Sequence, residues 1–211
     1  MDIDDLVRKG ILSLRSASLN DVDFIVPFIN QAYRGESSAK GWTTESTILE
    51  GQRLDNEMAK EIINKESCEI LMLLLHIDKV TSNDVNDNQK KFIDHAISLD
   101  DDKNQLFIIA TVSPEQDGDS MHLNMLAIHP ELQSYGIGKY MMNAVEKKTK
   151  DSNISKVVLT VISCRSELVS YYERRGYSMN GTKHRFPAYD DPRFGIPKRD
   201  DLELHEMEKL V

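Results

Sequence analysis

The residue pattern predicts a mixed α/β fold in one domain, a sheet flanked by helices. Three observations carry this. Stretches with strand periodicity alternate with stretches of helical spacing along the 211 residues. Lys156 to Ile162 is a continuous apolar run rich in β-branched residues, which suits a strand buried on both faces. Between them, a strand ending near Ile128 runs through a turn containing Pro130 and a loop with two glycines into an amphipathic helix.

Taken in order, Ile11 to Arg15 alternates apolar and polar residues and reads as a strand. Ser18-Leu19-Asn20-Asp21 is a helix start, with Phe24, Ile25, Phe28, Ile29 and Ala32 following at helical spacing. Pro27 is expected to kink that helix, because it lacks a backbone donor. Thr44 to Gly51 and Asn56 to Lys65 read as short helices, and Cys68 to His76 as an apolar strand. Asp78 to Gln105 is rich in Asp, Asn and Lys and reads as a mobile insertion from a surface loop, with a short helix over Lys90 to Ile97. Leu106 to Val112 and Ser120 to Ile128 are strands. A helix from the glycine loop to about Lys150 places Ile137, Tyr140, Met141, Ala144 and Val145 on one face. After the strand at Lys156 to Ile162 come a helix over Ser166 to Arg175 and strands at Tyr177 to Asn180 and Leu202 to Lys209.

Composition sets the outer bounds. With 40% apolar and 29% charged residues the chain is of ordinary globular type. The apolar run Ile70 to Leu75 is far shorter than the roughly 20 residues of a membrane-crossing helix. The acidic start Met1-Asp2-Ile3-Asp4-Asp5 is unlike a basic leader, so the expected location is the cytoplasm, with the nucleus open to it. Cys68 and Cys164 are too few for a disulfide framework or a zinc site, and both read as core thiols. A net charge of −9 argues against a nucleic-acid partner. The charge is uneven. Gln133 to Arg185 carries ten Lys or Arg against four Asp or Glu, while the remainder carries sixteen against thirty-one. A locally basic segment suits a small polyanion, although helix surfaces also vary in charge.

The chemistry concentrates after Met121. Glycines at 136 and 138 let the backbone approach a ligand, and the first N–H groups of the helix have no partner within it. Those donors and the positive helix end suit a pyrophosphate. A Walker A loop needs Ser or Thr after Gly138-Lys139, where Tyr140 stands, and a dinucleotide loop needs a third glycine where Met141 stands. A lone Gly-x-Gly is also an ordinary strand-to-helix turn.

Here the sequence resembles the GNAT superfamily of acetyl-CoA dependent N-acetyltransferases. Gln133-Ser134-Tyr135-Gly136-Ile137-Gly138 fits the family's Gln/Arg-x-x-Gly-x-Gly/Ala signature, and Tyr171-Tyr172-Glu173-Arg174-Arg175-Gly176-Tyr177 fits its second landmark. The resemblance, which runs from about Ile11 to the C-terminus with one interruption, implies an α+β fold with a mostly antiparallel central sheet whose strands splay at the coenzyme site, one N-acetyltransferase domain over 1–211 with a mobile insertion at 78–105. It implies acetyl-CoA as cosubstrate and no metal. It assigns backbone groups of Leu126, Ala127 and Ile128 to pantetheine. The N–H groups of Gln133, Ser134, Tyr135, Gly136, Ile137, Gly138 and Lys139 go to the pyrophosphate. It makes Tyr172 the general acid, with Tyr171 read as core. Where many members carry Asn, this chain has Arg165, open to two readings: a partner for a coenzyme phosphate or a solvated arginine at a helix start. Tyr33-Arg34 and Gly41-Trp42-Thr43-Thr44-Glu45 look like an acceptor-side loop.

The chemistry so implied is attack of a neutral amine on a thioester, which needs a donor near the developing oxyanion and an acid for the leaving thiolate. No glutamate stands on the strand Ser120 to Ile128, so the base is water, or a carboxylate such as Glu36 or Glu45. His122 and Asn124 are expected to share a strand face with Leu126 and Ile128. Tyr33, Trp42, Phe186 and Tyr189, with Phe194, are the expected acceptor contacts. The acceptor is a small-molecule or peptide amine, cationic by the overall field, and a homodimer is compatible with these features. Two other readings stay open: a catalytically silent CoA-binding regulatory module and an acidic interaction domain.

Overall fold

In a computed structural model, residues 2–80, 85–98 and 106–211 are described. A first helix, α1 (Ile3–Arg8), absent from the sequence expectation, precedes β1 (Leu12–Ser16). Then follow α2 (Val22–Arg34), β2 (Leu49–Glu50), α3 (Asn56–Asn64), β3 (Leu71–His76), α4 (Asp87–Ser98), β4 (Leu106–Asp117) and β5 (Ser120–Ile128). The second half holds α5 (Ile137–Asp151), β6 (Lys156–Ile162), α6 (Ser166–Glu173), β7 (Ser178–Arg185), β8 (Ile196–Pro197) and β9 (Glu203–Leu210).

Seven strands form one sheet in the order β1-β3-β4-β5-β6-β9-β7. Every neighbouring pair is antiparallel except β5 and β6. A parallel pair needs a crossover, which α5 supplies. Strand β3 is apolar from Leu71 to Leu75 because it is covered on both faces. Leu71, Leu73 and Leu75 join the core under α4 and α5, whereas Met72 and Leu74 join the one under α2 and α3.

Local signals account for most helix starts. The Ser18 backbone N–H and the Asp21 carboxylate bond at 2.7 Å ahead of α2, and the Asp55 side chain accepts from the Met58 N–H at 2.7 Å to cap α3. In α2, Val22, Ile25, Val26 and Ile29 are buried at helical spacing, and the helix runs through Pro27, which is exposed.

Three expectations are corrected. Thr44 to Gly51 is a turn leading into β2, not a helix: Leu49 and Glu50 pair with Pro197 and Ile196, and Glu45 is held by a buried arginine. So short a segment takes its shape from tertiary partners rather than propensity. Within the presumed insertion, α4 is a core element, with Phe92, Ile93 and Ala96 fully buried. Its apolar residues recur at helical spacing inside a polar segment, and composition masked them. Residues 81–84 and 99–105 of that segment lie outside the described residues. Cys164 is exposed and Cys68 only half-buried, so the pair are not both core thiols.

Candidate active site

The site begins where two strands part. Strands β5 and β6 pair from Ser120 opposite Lys156 to His122 opposite Val158 and no further, while β6 stays paired with β9 as far as Ile162. From Leu123 onward, one edge of β5 therefore faces a wedge rather than a neighbour. That wedge is a cleft of about 490 Å³.

A bulge shapes its floor. Thr111 pairs with Ala127 but Ser113 pairs with Asn124, so β5 carries one extra residue, and Met125 adopts φ of 47°. The bulge reverses the strand's faces. Met121 and Leu123 point into the core under α5, yet Met125 and Ala127 point into the core under α2. Hence His122 and Asn124 do not share a face with Leu126 and Ile128, which pack against the α5 side. Strict period-two reading fails at this point because alternation of burial survives a bulge while the side changes.

At the end of β5, the chain passes His129 to Tyr135 and enters α5. Ser134 (φ 74°) and Gly136 (φ 90°) are left-handed, and Gly136 caps the helix with no side chain bonded to its first turn. The opening amides of α5 are thus free donors beside the cleft. Gly138 serves a different purpose: a Cβ there would press on the Tyr171 hydroxyl and force that side chain to shift.

Helix α6 forms one wall. Tyr171 and Tyr172 both line the cleft, with rings 5.4 Å apart, edge to face. Arg175 stacks its guanidinium 3.4 Å from the Tyr171 ring centroid, and Trp42 meets the same ring at 5.3 Å. Tyr172 is 8% exposed, and burial pushes its phenol well above the usual tyrosine range.

The opposite wall comes from α2 and the loop after it. The Tyr33 hydroxyl donates to the Leu126 carbonyl at 3.2 Å, and burial pushes its phenol up to about 12. Arg34 donates to the Glu45 carboxylate at 2.9 Å and to the carbonyls of Gln52 and Phe194. Burial pulls the Arg34 guanidinium below its ordinary value, against the pull of Glu45. Arg165, 6% exposed, bonds to Thr43 Oγ1 and to Glu167 at 2.8 Å, with Glu45 at 3.9 Å.

With this geometry in view, the comparisons are specific. A family model described as an acetyltransferase (GNAT) domain matches residues 83–186. The chain has the GNAT acetyltransferase fold. The spermidine N-acetyltransferase of Vibrio cholerae, solved with CoA and spermine, superposes at a TM-score of 0.58 and 16% identity, covering 95% of this chain and 96% of that one. The PaiA N-acetyltransferase of Thermoplasma acidophilum, solved with coenzyme A, gives 0.58 at 15% identity over 95% and 99%. The ribosomal-protein-S18-alanine N-acetyltransferase of Escherichia coli gives 0.56 at 12% identity over 95% and 94%. No curated protein matches the chain in sequence.

On this GNAT fold, most residues named from sequence gather at the cleft. Leu126, Ala127, Ile128, Gln133, Ser134, Gly136, Gly138, Lys139, Arg165 and Tyr172 line it, as do Tyr33, Trp42 and Phe186. Tyr135 and Ile137 do not: Tyr135 packs on Phe92 at 5.2 Å between centroids, and Ile137 is buried in the core. Tyr189 also lies outside the cleft, its hydroxyl donating to the Arg199 carbonyl and accepting from the Leu202 N–H. Tyr171, expected in the core, is a cleft residue. Arg165 is neither free for a phosphate nor solvated, since Thr43 and Glu45 of the loop after α2 hold it. Sequence reasoning missed Arg53, Arg174 and Arg175 as lining residues. The last two lie within the quoted motif, but only the α6 orientation puts them over the cleft. Among the described residues, no group of three or more His, Cys, Asp or Glu is placed to hold a metal ion, and no helix is long and apolar enough to cross a membrane.

Proposed function

We propose that this chain transfers an acetyl group from acetyl-CoA to a primary amine by direct attack, with Tyr172 as the general acid. One observation carries the reading. The parting of β5 and β6 leaves β5 backbone in the same cleft as the uncapped start of α5 and Tyr172. The donor set fits an anionic, amide-bearing cosubstrate. Amides of Gly136 to Lys139 would hold the pyrophosphate, with Arg174, Arg175 and Lys139 as the cleft's cations at that end. Free β5 backbone past Leu123 would pair with the pantetheine amides as an added strand would.

Bound acetyl-CoA supplies a thioester carbonyl and a thiol leaving group. The chain's part is to position it and to manage two protons. The Tyr172 hydroxyl donates its proton to the departing sulfur and regains one from solvent once the amine proton has been released to water. Because burial disfavours phenolate, it remains a donor throughout the neutral range. On the amine side no protein base is assigned. Glu36 is exposed, and Glu45, the one carboxylate among the described cleft-lining residues, is committed to Arg34 and Arg165. The amine proton therefore passes to water in the open cleft.

Isothermal titration with acetyl-CoA followed by a thiol-release assay over an amine panel tests this. Saturable binding and amine-dependent thiol release are expected. No binding at millimolar acetyl-CoA overturns the reading, and binding without thiol release leaves a silent coenzyme-binding module.

A further inference from the structure

The cations of the cleft fall into two groups. Lys139 lies on α5, and Arg174 and Arg175 directly follow α6, at the coenzyme end proposed above. Arg34, Arg53 and Arg165 surround Tyr33 at the other end. On the acetyltransferase reading a coenzyme would take the first group, which leaves the second for something else.

Two members of the second group are already committed. Arg34 spends its donors on Glu45 and on the Gln52 and Phe194 carbonyls, and Arg165 spends its own on Thr43, Glu45 and Glu167. Arg53 differs. Its guanidinium carbon stands 5.5 Å from the Tyr33 ring centroid, it lines the cleft, and no carboxylate pairs with it among the described residues. The backbone is fixed beneath it, since the Arg53 N–H donates to Asn30 Oδ1 at 2.6 Å. Stacking on an aromatic face restrains a guanidinium while leaving its planar N–H edge free, which is the geometry that grips a carboxylate with two hydrogen bonds.

Local charge points the same way. Counting half-exposed Glu167, which does not line the cleft, this end holds three guanidiniums against two carboxylates. Its one lining carboxylate, Glu45, is shared by two arginines. A polycationic acceptor would place an ammonium beside Arg53 with no free anion to meet it. The overall acidity of the chain, which favours a cationic acceptor, is outweighed here because field falls off within about a Debye length and nearby buried charges are screened least.

We propose that the acceptor is an amine that also carries a carboxylate, an amino acid or a peptide with an acidic group, and that Arg53 binds that carboxylate. This rests on the acetyltransferase reading above. The Tyr33 ring under Arg53 is itself anchored, its hydroxyl donating to the Leu126 carbonyl at 3.2 Å, so the guanidinium rests on a fixed support.

The test compares matched acceptors on the intact chain with acetyl-CoA: amino acids and aminoalkanoates, each against its carboxamide, and spermidine as polycation. Expected is a kcat/KM for the carboxylates at least about tenfold above the amides, the scale of one charge-assisted contact. In Arg53→Gln, KM for the carboxylates should rise by about the same factor with kcat little changed and the amides unaffected. Amides or spermidine acetylated equally well or better overturn the inference while leaving the acetyltransferase reading intact. So does a carboxylate preference that survives in Arg53→Gln. Acetyl-CoA binding with no acceptor in the panel turned over also counts against it. Failure to bind acetyl-CoA at all removes both readings together. The wild-type comparison stands even where the variant folds poorly.

Discussion

The side-chain carbonyl of Gln133 accepts a hydrogen bond from the backbone N–H of Trp42 at 2.9 Å, tying the turn before α5 to the loop of the opposite wall. A Cβ on Gly41 would lie 2.5 Å from the same Gln133 oxygen, so the loop approaches this side chain as closely as glycine allows. Lys40 and Glu131 reinforce the link at 2.8 Å. Both sides of the cleft are thereby fixed in one frame.

Gln133→Ala removes the acceptor for Trp42 and should cost about 0.5–1.5 kcal/mol of stability. Because Trp42 is 44% exposed and held by this bond, the acceptor KM should rise more than the coenzyme Kd. Thermal unfolding with steady-state kinetics checks both, and a coenzyme Kd that moves as much as the acceptor KM would place Gln133 on the coenzyme instead.

Tyr172→Phe keeps the ring and its packing against Tyr171 and Tyr177 while deleting the proton donor. A fall in kcat of about 100-fold or more is expected, with the acetyl-CoA Kd within about threefold. An unchanged rate would assign the acid elsewhere, Tyr171 being the other cleft phenol on α6.

Phe92 is fully buried and stacks on Tyr135, so α4 braces the turn that presents the α5 amides. Phe92→Ala should destabilise the fold by about 3–5 kcal/mol. Weaker acetyl-CoA binding by the fraction that remains folded is expected too, and Phe92→Leu should recover most of both. Chemical denaturation with coenzyme titration reads the pair of effects.

Glu45→Gln would leave Arg34 and Arg165 buried with their shared counter-charge removed. Loss of one partner from a buried ion pair costs about 3–5 kcal/mol. The Arg34 side chain is nearly fully enclosed, which puts this substitution in that range rather than in that of an exposed pair. A melting temperature within a degree of wild type would show that the network contributes nothing to stability.

Alkaline titration follows from the buried phenols. Tyr33 is pushed up to about 12, and Tyr172 and Tyr177 are shifted upward by burial as well. A folded-state pKa above the unfolded value of about 10 means that the native state holds its proton more tightly. Stability is then fully present below pH 10 and declines as pH rises toward 12. Absorbance titration of tyrosinate should show fewer of the seven tyrosines ionising near pH 10 in the native chain than in urea. Coincident curves would contradict the burial.

Some of the fold and site follows from local pattern. The strand at Lys156–Ile162, the helix after Gly136 and the cap at Ser18 are set by residues near one another in sequence, so periodicity and spacing place them within a few positions. The glycine loop and Tyr172 follow from motif for the same reason. By contrast, α4 hid its buried face inside a polar segment, and only docking beside Tyr135 distinguishes Phe92 from a loop residue.

By itself, the sequence determined β5, α5, β6 and α6, the glycine loop between the first two and the motif that carries Tyr172, because these depend on interactions across a few residues. Tertiary structure decided which charges meet. Arg34, Glu45 and Arg165 come from distant parts of the chain, the bulge at Met125 sets which face of β5 reaches the cleft, and Arg53 stands beside Tyr33 with no carboxylate partner among the described residues. Pairing, burial and strand register depend on where remote segments pack, and no local periodicity encodes them.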